Sequence, residues 1–224
     1  MGEEASVLRT RMVNNQLRTF DVTDHRVQDA FLAIPRERYV PKPFRGIAYS
    51  DEAIPIAVDP TGRPVRAMTR PAVLARLLQL AHIGEDDVVL LVGAGTGYSA
   101  ALIGCLADSV IALECDEQLA EEATATLEAQ EVFNVSVVTG PLQDGYAAEG
   151  PYDITLIDGA IDVTPTALID QLKEGGRLIT VEGRSLAGRA KVYERGPHGV
   201  SHRTVFNAAA DLLPGFVPEP SFVF

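Results

Sequence analysis

The stretch Val88-Val-Leu-Leu-Val-Gly-Ala-Gly-Thr-Gly-Tyr-Ser99 decides the fold class of this chain. Its first five residues are all apolar, which is typical of a strand buried on both faces in a parallel sheet covered by helices. Three glycines follow at alternate positions, and the apolar run that begins at Tyr98 predicts a helix. A glycine-rich turn between a strand and a helix lets backbone N–H groups approach a ligand closely, at the positive end of the helix dipole. The stretch therefore predicts an α/β fold with a ligand site at this turn.

An acidic residue at the end of the next strand narrows the choice of ligand. Glu114 ends the predicted strand 110–113 and stands 21 positions after Gly93 (114 − 93), where such folds hold ribose hydroxyls. A dinucleotide fingerprint has the spacing G-x-G-x-x-G, whereas Gly93, Gly95 and Gly97 follow G-x-G-x-G. This spacing with a later acid favours S-adenosyl-L-methionine. A glycine-rich turn without a ligand remains the alternative.

Composition limits the function classes. The chain has 224 residues and a net charge of −12, which suits one α/β domain with an appendage and argues against binding a nucleic-acid backbone. The acidic start has no apolar region of a signal peptide behind it, and no apolar run approaches the roughly 20 residues of a membrane helix. The four histidines lack metal-ligand spacing, so we expect no metal site. We expect a cytoplasmic protein without a membrane partner, either a monomer or a weak dimer.

Strand and helix patterns alternate from residue 88 onward, which predicts a doubly wound, mostly parallel sheet. Before this sheet, residues 5–20 have helical character and Asp24 is placed to cap a second helix. We expect residues 47–71 to be irregular, with a hairpin around 60–64. Pro71 fits the first turn of a helix. We expect an N-terminal helical and substrate-closing extension at 1–71 and a Rossmann-like core at 72–224. The predicted core strands are 88–92, 110–113, 135–138, 154–157 and 177–181, the helices 97–107, 116–130 and 165–173, and two antiparallel closing strands begin at Lys191 and Arg203.

The carboxyl ends of the parallel strands form the expected ligand crevice, at the point where the strand order switches. This placement would bring together the glycine turn, Glu114, the loop from Gly140 and the segment that begins at Asp158. Asp158 follows an apolar strand, so its carboxylate is expected to face the crevice. Capping of the following helix is the alternative role for Asp158.

Several blocks outside the glycine turn resemble protein-L-isoaspartate O-methyltransferases. The resemblance extends over nearly the whole chain, and its most specific block is Ile34-Pro-Arg-Glu-Arg-Tyr-Val-Pro41. It implies a Rossmann-like methyltransferase fold, S-adenosyl-L-methionine as the methyl donor and damaged aspartyl residues of proteins as acceptors. Other supporting blocks are Met12-Val-Asn-Asn-Gln-Leu17, Asp24-His-Arg-Val27, Ala48-Tyr-Ser-Asp51, Gly95-Thr-Gly-Tyr98, Phe133-Asn-Val-Ser136, Pro151-Tyr-Asp153 and Gln171-Leu-Lys-Glu-Gly-Gly-Arg-Leu178.

The cofactor residues implied by the resemblance match only in part. The three glycines match the family's cofactor loop and Glu114 its ribose-binding acid, but Leu91 stands where the family has an acid two residues before the first glycine. The family's Gly-Asp-Gly loop, whose Asp meets the adenine, corresponds here to Gly140-Pro-Leu142, and Asp144 or a backbone amide is the expected replacement. The family's Thr-Ala-Ala corresponds to Asp158-Gly-Ala160. The expected cofactor-binding residues are Gly93, Ala94, Gly95, Gly97, Tyr98, Glu114, Cys115, Gly140, Pro141, Leu142 and Asp158.

The segment that closes over the substrate differs most from the family. Its usual Gln-Thr-Ile-Ser-Gln-Pro corresponds to Arg66-Ala-Met-Thr-Arg-Pro71. Thr69 keeps a hydroxyl where the family has serine, whereas Ala67 lacks the family's threonine hydroxyl. Arg66 and Arg70 are expected to hold a substrate carboxylate with paired hydrogen bonds, and solvated surface arginines are the alternative. The expected catalytic residues are therefore Thr69, Arg66 and Arg70.

Three function classes remain open from the sequence. The first is a methyltransferase that acts on isoaspartyl-type carboxylates of protein or peptide substrates, or on another acceptor. The second is an S-adenosylmethionine-binding protein of the same fold without turnover, which the changes at Leu91, Pro141 and Ala67 favour. The third is a nicotinamide-dependent oxidoreductase, which the glycine spacing and the lack of a Tyr-x-x-x-Lys pair disfavour.

Overall fold

A seven-stranded sheet forms the centre of the computed structural model, which describes residues 2–184 and 187–217. Its strands are β3 Val88–Val92, β4 Ser109–Glu114, β5 Val135–Thr139, β6 Tyr152–Ile161, β7 Leu172–Glu182, β8 Arg189–Gly196 and β9 Gly199–Asn207. The strand order is β5-β4-β3-β6-β7-β8-β9, in which β3 to β7 pair in parallel and β8 and β9 add antiparallel hairpin strands at one edge. The predicted doubly wound, mostly parallel sheet is confirmed.

Both faces of the sheet are covered, as the apolar run in β3 predicts. Val89 and Leu91 belong to a core cluster that contains the buried residues of the N-terminal helices. Leu90 and Val92 belong to a second cluster on the opposite face, with Leu213 of the C-terminal segment. Successive side chains of a strand point to opposite faces, so alternate residues of β3 enter different cores.

Helices begin where the sequence supplies capping residues. The Asp24 carboxylate accepts hydrogen bonds from the amides of Arg26 and Val27, and Pro71 occupies the first turn of α3, so both predicted helix starts are confirmed. A π-helical turn at Val13–Leu17 and a 3-10 turn at Arg18–Phe20 extend the first helix. The helices are α1 Gly2–Met12, α2 His25–Ala33, α3 Pro71–Ala81, α4 Tyr98–Gly104, α5 Glu117–Ala129 and α6 Thr166–Asp170.

The predicted helix at 165–173 was too long. Helix α6 ends at Asp170, and β7 begins at Leu172 because the backbone there pairs with Tyr152 of β6. The Gln171 side chain between them donates to the carbonyl of Asp144 and accepts from the amide of Tyr146. Strands β6 and β7 are longer than predicted because their pairing continues past irregular positions in the ladder.

A separate two-stranded hairpin lies before the core. Strands β1 Ile54–Val58 and β2 Pro64–Met68 pair antiparallel with each other, which confirms the predicted turn around residues 60–64. The base of the hairpin is buried at Ile54 and Met68, whereas Val58 and Val65 near its tip are exposed. The hairpin joins the N-terminal helices to α3 and thereby reaches the carboxyl end of the central strands.

The non-helical tail predicted from Leu213 is described as far as Val217 and has no helix there, and its last residues lie outside the described part. Within the described residues, no helix combines the length and the apolar character needed to cross a membrane.

Candidate active site

The glycine turn after β3 is held by the neighbouring strand. The amides of Gly93 and Ala94 both donate to the carbonyl of Leu113 at the end of β4, at 2.9 and 3.1 Å. Gly93 and Gly97 have φ angles of +87° and +90°, a region that side chains other than glycine rarely adopt. The turn therefore places its backbone at the switch point between β3 and β6, where ligands of such sheets bind.

Glu114, the expected ribose acid, is paired with an arginine of the hairpin. Arg66 donates through Nη1 to Oε1 at 2.6 Å and through Nη2 to Oε2 at 2.8 Å, a bidentate geometry. The side chain of Glu114 is fully buried and that of Arg66 is 7% exposed. The amide of Gly95 donates to Oε2 at 2.8 Å, and the amides of Cys115 and Asp116 donate to Oε1 at 2.8 and 3.2 Å.

These contacts keep both members of the pair charged. Burial by itself would raise the pKa of Glu114, but Arg66 and the surrounding amides outweigh it and lower the pKa of the carboxyl. Burial would lower the pKa of Arg66, but the hydrogen bonds and charge of Glu114 raise it. The sequence predicted both residues at the site and did not predict that they bind each other.

Two apolar side chains cover the glycine turn. A Cβ atom on Gly95 would lie 2.8 Å from Cδ1 of Ile56, which comes from the hairpin. A Cβ atom on Gly93 would lie 2.9 Å from Cδ1 of Leu213, which comes from the C-terminal segment. The cavity left between the turn, the hairpin and Asp158 measures about 10 Å³, enough for roughly one water molecule.

Asp158 lies on the opposite wall of this crevice, as predicted, and caps no helix, because α6 begins at Thr166. Ser99 donates to its Oδ2, while its Oδ1 is buried without a partner among the described residues. Burial raises the pKa of this carboxyl, although the Ser99 and Thr69 hydroxyls oppose the shift. Asp158 therefore contributes a buried carboxyl group that faces the hydroxyls of Ser99 and Thr69.

Arg36 is a crevice residue that the sequence reasoning missed. Its side chain is fully buried, donates to the carbonyls of Ala48 and Thr69, and stacks over Tyr98 with 4.7 Å from its Cζ to the ring centroid. Its Nη1 and the Tyr98 hydroxyl have no hydrogen-bond partner among the described residues. Burial lowers the pKa of this guanidinium and raises the pKa of Tyr98 to about 12. The available signal was the position of Arg36 in the block 34–41, the most specific block of the family resemblance.

Thr69 separates the crevice from a larger external groove. It is buried and lines the crevice together with Ala67 and Met68. The same three residues line a groove of about 280 Å³, whose opposite wall is the segment 209–211. A group that enters the groove would meet the crevice at these three residues, of which Thr69 carries a hydroxyl group.

Arg70, only four residues beyond Arg66, has a different environment. Its guanidinium is 45% exposed and binds Asp51, with Nη2 to Oδ2 at 2.6 Å and Nε to the carbonyl at 2.9 Å. Arg70 lines the external groove and not the crevice. The structure therefore places the two expected carboxylate ligands on different sides of Thr69.

The expected adenine-binding turn is partly apolar. The amide of Gly140 donates to the carbonyl of Glu114 at 3.0 Å, Pro141 is exposed, and Leu142 is buried in the cluster that includes Leu213. Cys115 is partly exposed beside Glu114. The turn thus lies next to Glu114 and has no side-chain carboxylate at positions 140–142.

The crevice combines a glycine turn with a buried carboxylate, the two groups that we expect to bind S-adenosylmethionine, but it is closed. The glycine turn permits close backbone approach, and Glu114 is the carboxylate that would hold the ribose hydroxyls. The side chains of Arg66, Ile56 and Leu213 would have to move to admit a nucleoside. The glycine turn and Glu114 therefore fit S-adenosylmethionine, but the hairpin must move before the crevice can admit the cofactor.

Known proteins resemble this chain over most of its length. The family model described as protein-L-isoaspartate(D-aspartate) O-methyltransferase matches residues 9–207. A protein-L-isoaspartate O-methyltransferase of Koribacter versatilis is 41% identical over 78% of this chain and 76% of its own length. The corresponding protein of Opitutus terrae is 35% identical over 78% of this chain and 72% of its own length.

Solved structures give the same result for the fold. A protein-L-isoaspartate O-methyltransferase structure matches with a TM-score of 0.81 and 25% identity, over 92% of this chain and 66% of that one. A Plasmodium falciparum structure, described as a beta-aspartate methyltransferase in complex with S-adenosyl-L-homocysteine, matches with a TM-score of 0.76 and 17% identity, over 92% of this chain and 97% of that one. The second match supports the fold alone.

Proposed function

The chain belongs to the protein-L-isoaspartate(D-aspartate) O-methyltransferase family, and we propose that it methylates the carboxylate of isoaspartyl residues in protein or peptide substrates. Family membership supports S-adenosyl-L-methionine as the methyl donor. Within the site, the observation that carries the proposal is the position of Thr69, which lines both the crevice of the glycine turn and the external groove.

The acceptor needs positioning more than activation. When bound, S-adenosylmethionine supplies a methyl group on a positively charged sulfur, and an acceptor carboxylate, with a usual pKa of about 4, is already an ionised nucleophile at neutral pH. In our proposal Glu114 and the glycine turn hold the donor side, and the external groove holds the peptide. Thr69 donates a hydrogen bond from its hydroxyl to the acceptor carboxylate and thereby aligns it.

The charges around Thr69 suit an anionic acceptor. Arg36 is a buried guanidinium whose hydrogen bonds go only to two carbonyl groups, with Nη1 unpartnered among the described residues. Asp158 is the nearby acidic group, and burial raises the pKa of its carboxyl. Arg70, on the groove side of Thr69, adds a positive charge along the path of the peptide.

The proposal is tested by transfer of labelled methyl groups from S-adenosylmethionine to an isoaspartyl peptide. We expect base-labile label on that peptide and none on the matched peptide with a normal aspartyl residue. Binding of S-adenosyl-L-homocysteine without transfer to the isoaspartyl peptide would reject the proposed acceptor. It would favour a protein of the same fold with another acceptor or without turnover, which was the second class open from the sequence.

The role of Thr69 has its own test. Thr69→Ala removes the aligning hydroxyl, so we expect kcat to fall about tenfold or more, with almost unchanged affinity for S-adenosyl-L-homocysteine. Thr69→Ser restores a hydroxyl and should recover most of the activity. Equal losses in turnover and in cofactor affinity for Thr69→Ala would refute this role. The hydrogen bond from Arg36 goes to the Thr69 carbonyl and is retained in both variants.

A further inference from the structure

The carboxylate of Glu114 has no capacity left for another ligand. Its two oxygens accept from both terminal nitrogens of Arg66 and from the amides of Gly95, Cys115 and Asp116. A carboxylate offers about four lone-pair positions, so these contacts fill them. A ribose that binds Glu114 must therefore replace a donor that is already present.

Arg66 is the donor that can leave. The three amides belong to the glycine turn and to the backbone that directly follows β4, which the parallel sheet holds in place. Arg66 belongs to the hairpin, whose two strands pair with no other strand in the described part of the chain and are exposed near the tip at Val58 and Val65. Movement of β2 would withdraw both the Arg66 guanidinium and the Ile56 side chain from the glycine turn, because Ile56 lies on the strand paired with β2.

A displaced Arg66 needs a new anion. A buried guanidinium without a partner is costly, and Arg66 is only 6% exposed. It lines the same crevice as Thr69, the point at which the groove admits an acceptor. The chemistry of an isoaspartyl acceptor supplies the required group, a carboxylate that accepts a bidentate arginine.

We propose that Arg66 exchanges partners during the reaction cycle: it binds Glu114 before the methyl donor arrives, and it binds the acceptor carboxylate once the ribose has taken Glu114. This inference rests on the proposed function and adds an order of binding to it. The donor binds first, because only donor binding releases the arginine that completes the acceptor site. The acceptor carboxylate then holds Arg66 away from Glu114 and so retains the donor.

The exchange of partners predicts that a single substitution of Arg66 changes the affinities for the two ligands in opposite directions. In Arg66→Gln the ribose no longer competes with a guanidinium, so the affinity for S-adenosyl-L-homocysteine should rise about tenfold or more. The affinity for an isoaspartyl peptide, measured in the presence of S-adenosyl-L-homocysteine, should fall about tenfold or more. Arg66→Lys keeps the charge without the bidentate geometry and should give an intermediate shift in both measurements.

The experiment uses calorimetry for S-adenosyl-L-homocysteine and fluorescence anisotropy for a labelled isoaspartyl peptide. The wild-type chain should bind the peptide far better when S-adenosyl-L-homocysteine is present. The matched control is Arg63→Gln, an exposed arginine of the same hairpin, which should leave both affinities unchanged. Arg66→Lys covers the case in which Arg66→Gln folds poorly, because Lys still balances the buried charge of Glu114.

Tighter S-adenosyl-L-homocysteine binding combined with weaker peptide binding in Arg66→Gln supports the exchange. Unchanged or weaker S-adenosyl-L-homocysteine binding in that variant overturns it, because Arg66 would then assist the donor or act only on the fold. The proposed function fails by a different result, namely wild-type protein that binds S-adenosyl-L-homocysteine and methylates no isoaspartyl peptide. The two failures are therefore distinguishable in the same set of proteins.

Discussion

The glycine turn and the hairpin face each other across the crevice, and they are held in place in opposite ways. The turn is tied by backbone hydrogen bonds to β4 and lies between two apolar cores. The hairpin pairs with itself and reaches the turn through the Arg66–Glu114 ion pair and the contact of Ile56 with Gly95. One wall of the site is thus part of the sheet, and the other is attached to it by side chains.

This difference separates the two tasks of the site. A wall made of sheet backbone keeps the donor-binding groups in one arrangement without a ligand, which lowers the cost of binding. A wall attached by side chains can open and close, because only the contacts of a few residues must change. Variants that weaken either type of attachment should therefore have effects of different size.

The largest effect is expected for the ion pair that joins the two walls. Glu114→Gln leaves the Arg66 guanidinium buried without a counter-charge, and breaking a buried pair in this way typically costs about 3–5 kcal/mol in unfolding free energy. Urea unfolding followed by circular dichroism measures this loss. The matched comparison is Arg70→Gln, which breaks the half-exposed pair with Asp51 and should cost no more than about 1 kcal/mol.

Equal losses in Glu114→Gln and Arg70→Gln would show that burial does not distinguish the two pairs. In that case the hairpin would be held mainly by its apolar base at Ile54 and Met68. The contrast between the two walls would then disappear.

The sequence predicted the glycine-turn wall well, because local patterns determine it. The apolar run 88–92, the glycine spacing and Glu114 at the end of the next strand each report a backbone constraint within a short window. The parallel sheet then brings these segments together by topology. The prediction of Asp158 at the crevice followed from the same rule.

The hairpin wall was predicted as a turn, but its contacts were not. Nothing near Arg66 in the sequence indicates that its partner lies 48 residues away, or that Arg70 turns instead toward Asp51. Leu213 and Arg36 were missed for the same reason, because their positions at the crevice depend on packing between distant segments. Long-range side-chain partners follow from the folded arrangement and not from a local pattern.

Substitution of one glycine in each wall gives a second comparison, with a smaller expected effect on the unfolding free energy. Gly97 in the turn and Gly62 in the hairpin have similar φ angles of +90° and +82°, so alanine meets similar backbone strain at both, roughly 1–2 kcal/mol. At Gly97 the new Cβ would also lie 3.3 Å from Ala123 and Leu127, whereas at Gly62 nothing lies within 4 Å. We expect Gly97→Ala to lower the unfolding free energy by about 1 kcal/mol more than Gly62→Ala, as measured by urea unfolding. A larger loss of unfolding free energy in Gly62→Ala than in Gly97→Ala would contradict the conclusion that the glycine turn is the more firmly held wall.

The smallest expected effect is a difference in pH dependence between two carboxyl groups, one from the crevice and one from the hairpin turn. Burial raises the folded-state pKa of Asp158 above its ordinary value of 3.8, so the folded protein binds more protons there, and stability falls as the pH rises through that raised pKa. Asp158→Asn cannot ionise, so at pH 7 we expect its Tm to exceed that of the wild type.

Asp59 in the hairpin turn should behave in the opposite way. Hydrogen bonds from the Thr61 hydroxyl and from the amides of Thr61 and Arg63 lower the pKa of its carboxyl, so its contribution is present above pH 3.8 and is lost as the pH falls through the lowered pKa. Asp59→Asn should therefore reduce Tm at pH 7. For both Asp59→Asn and Asp158→Asn, the difference in Tm from the wild type should shrink toward acid pH. Differential scanning calorimetry between about pH 2 and pH 7.5 covers both titrations, because that of Asp59 lies below pH 3.8 and that of Asp158 above it. A Tm at pH 7 that falls in Asp158→Asn would mean that the ionised carboxylate is held favourably by Arg36 and Arg66, and that the crevice is arranged around an anion even before an acceptor arrives.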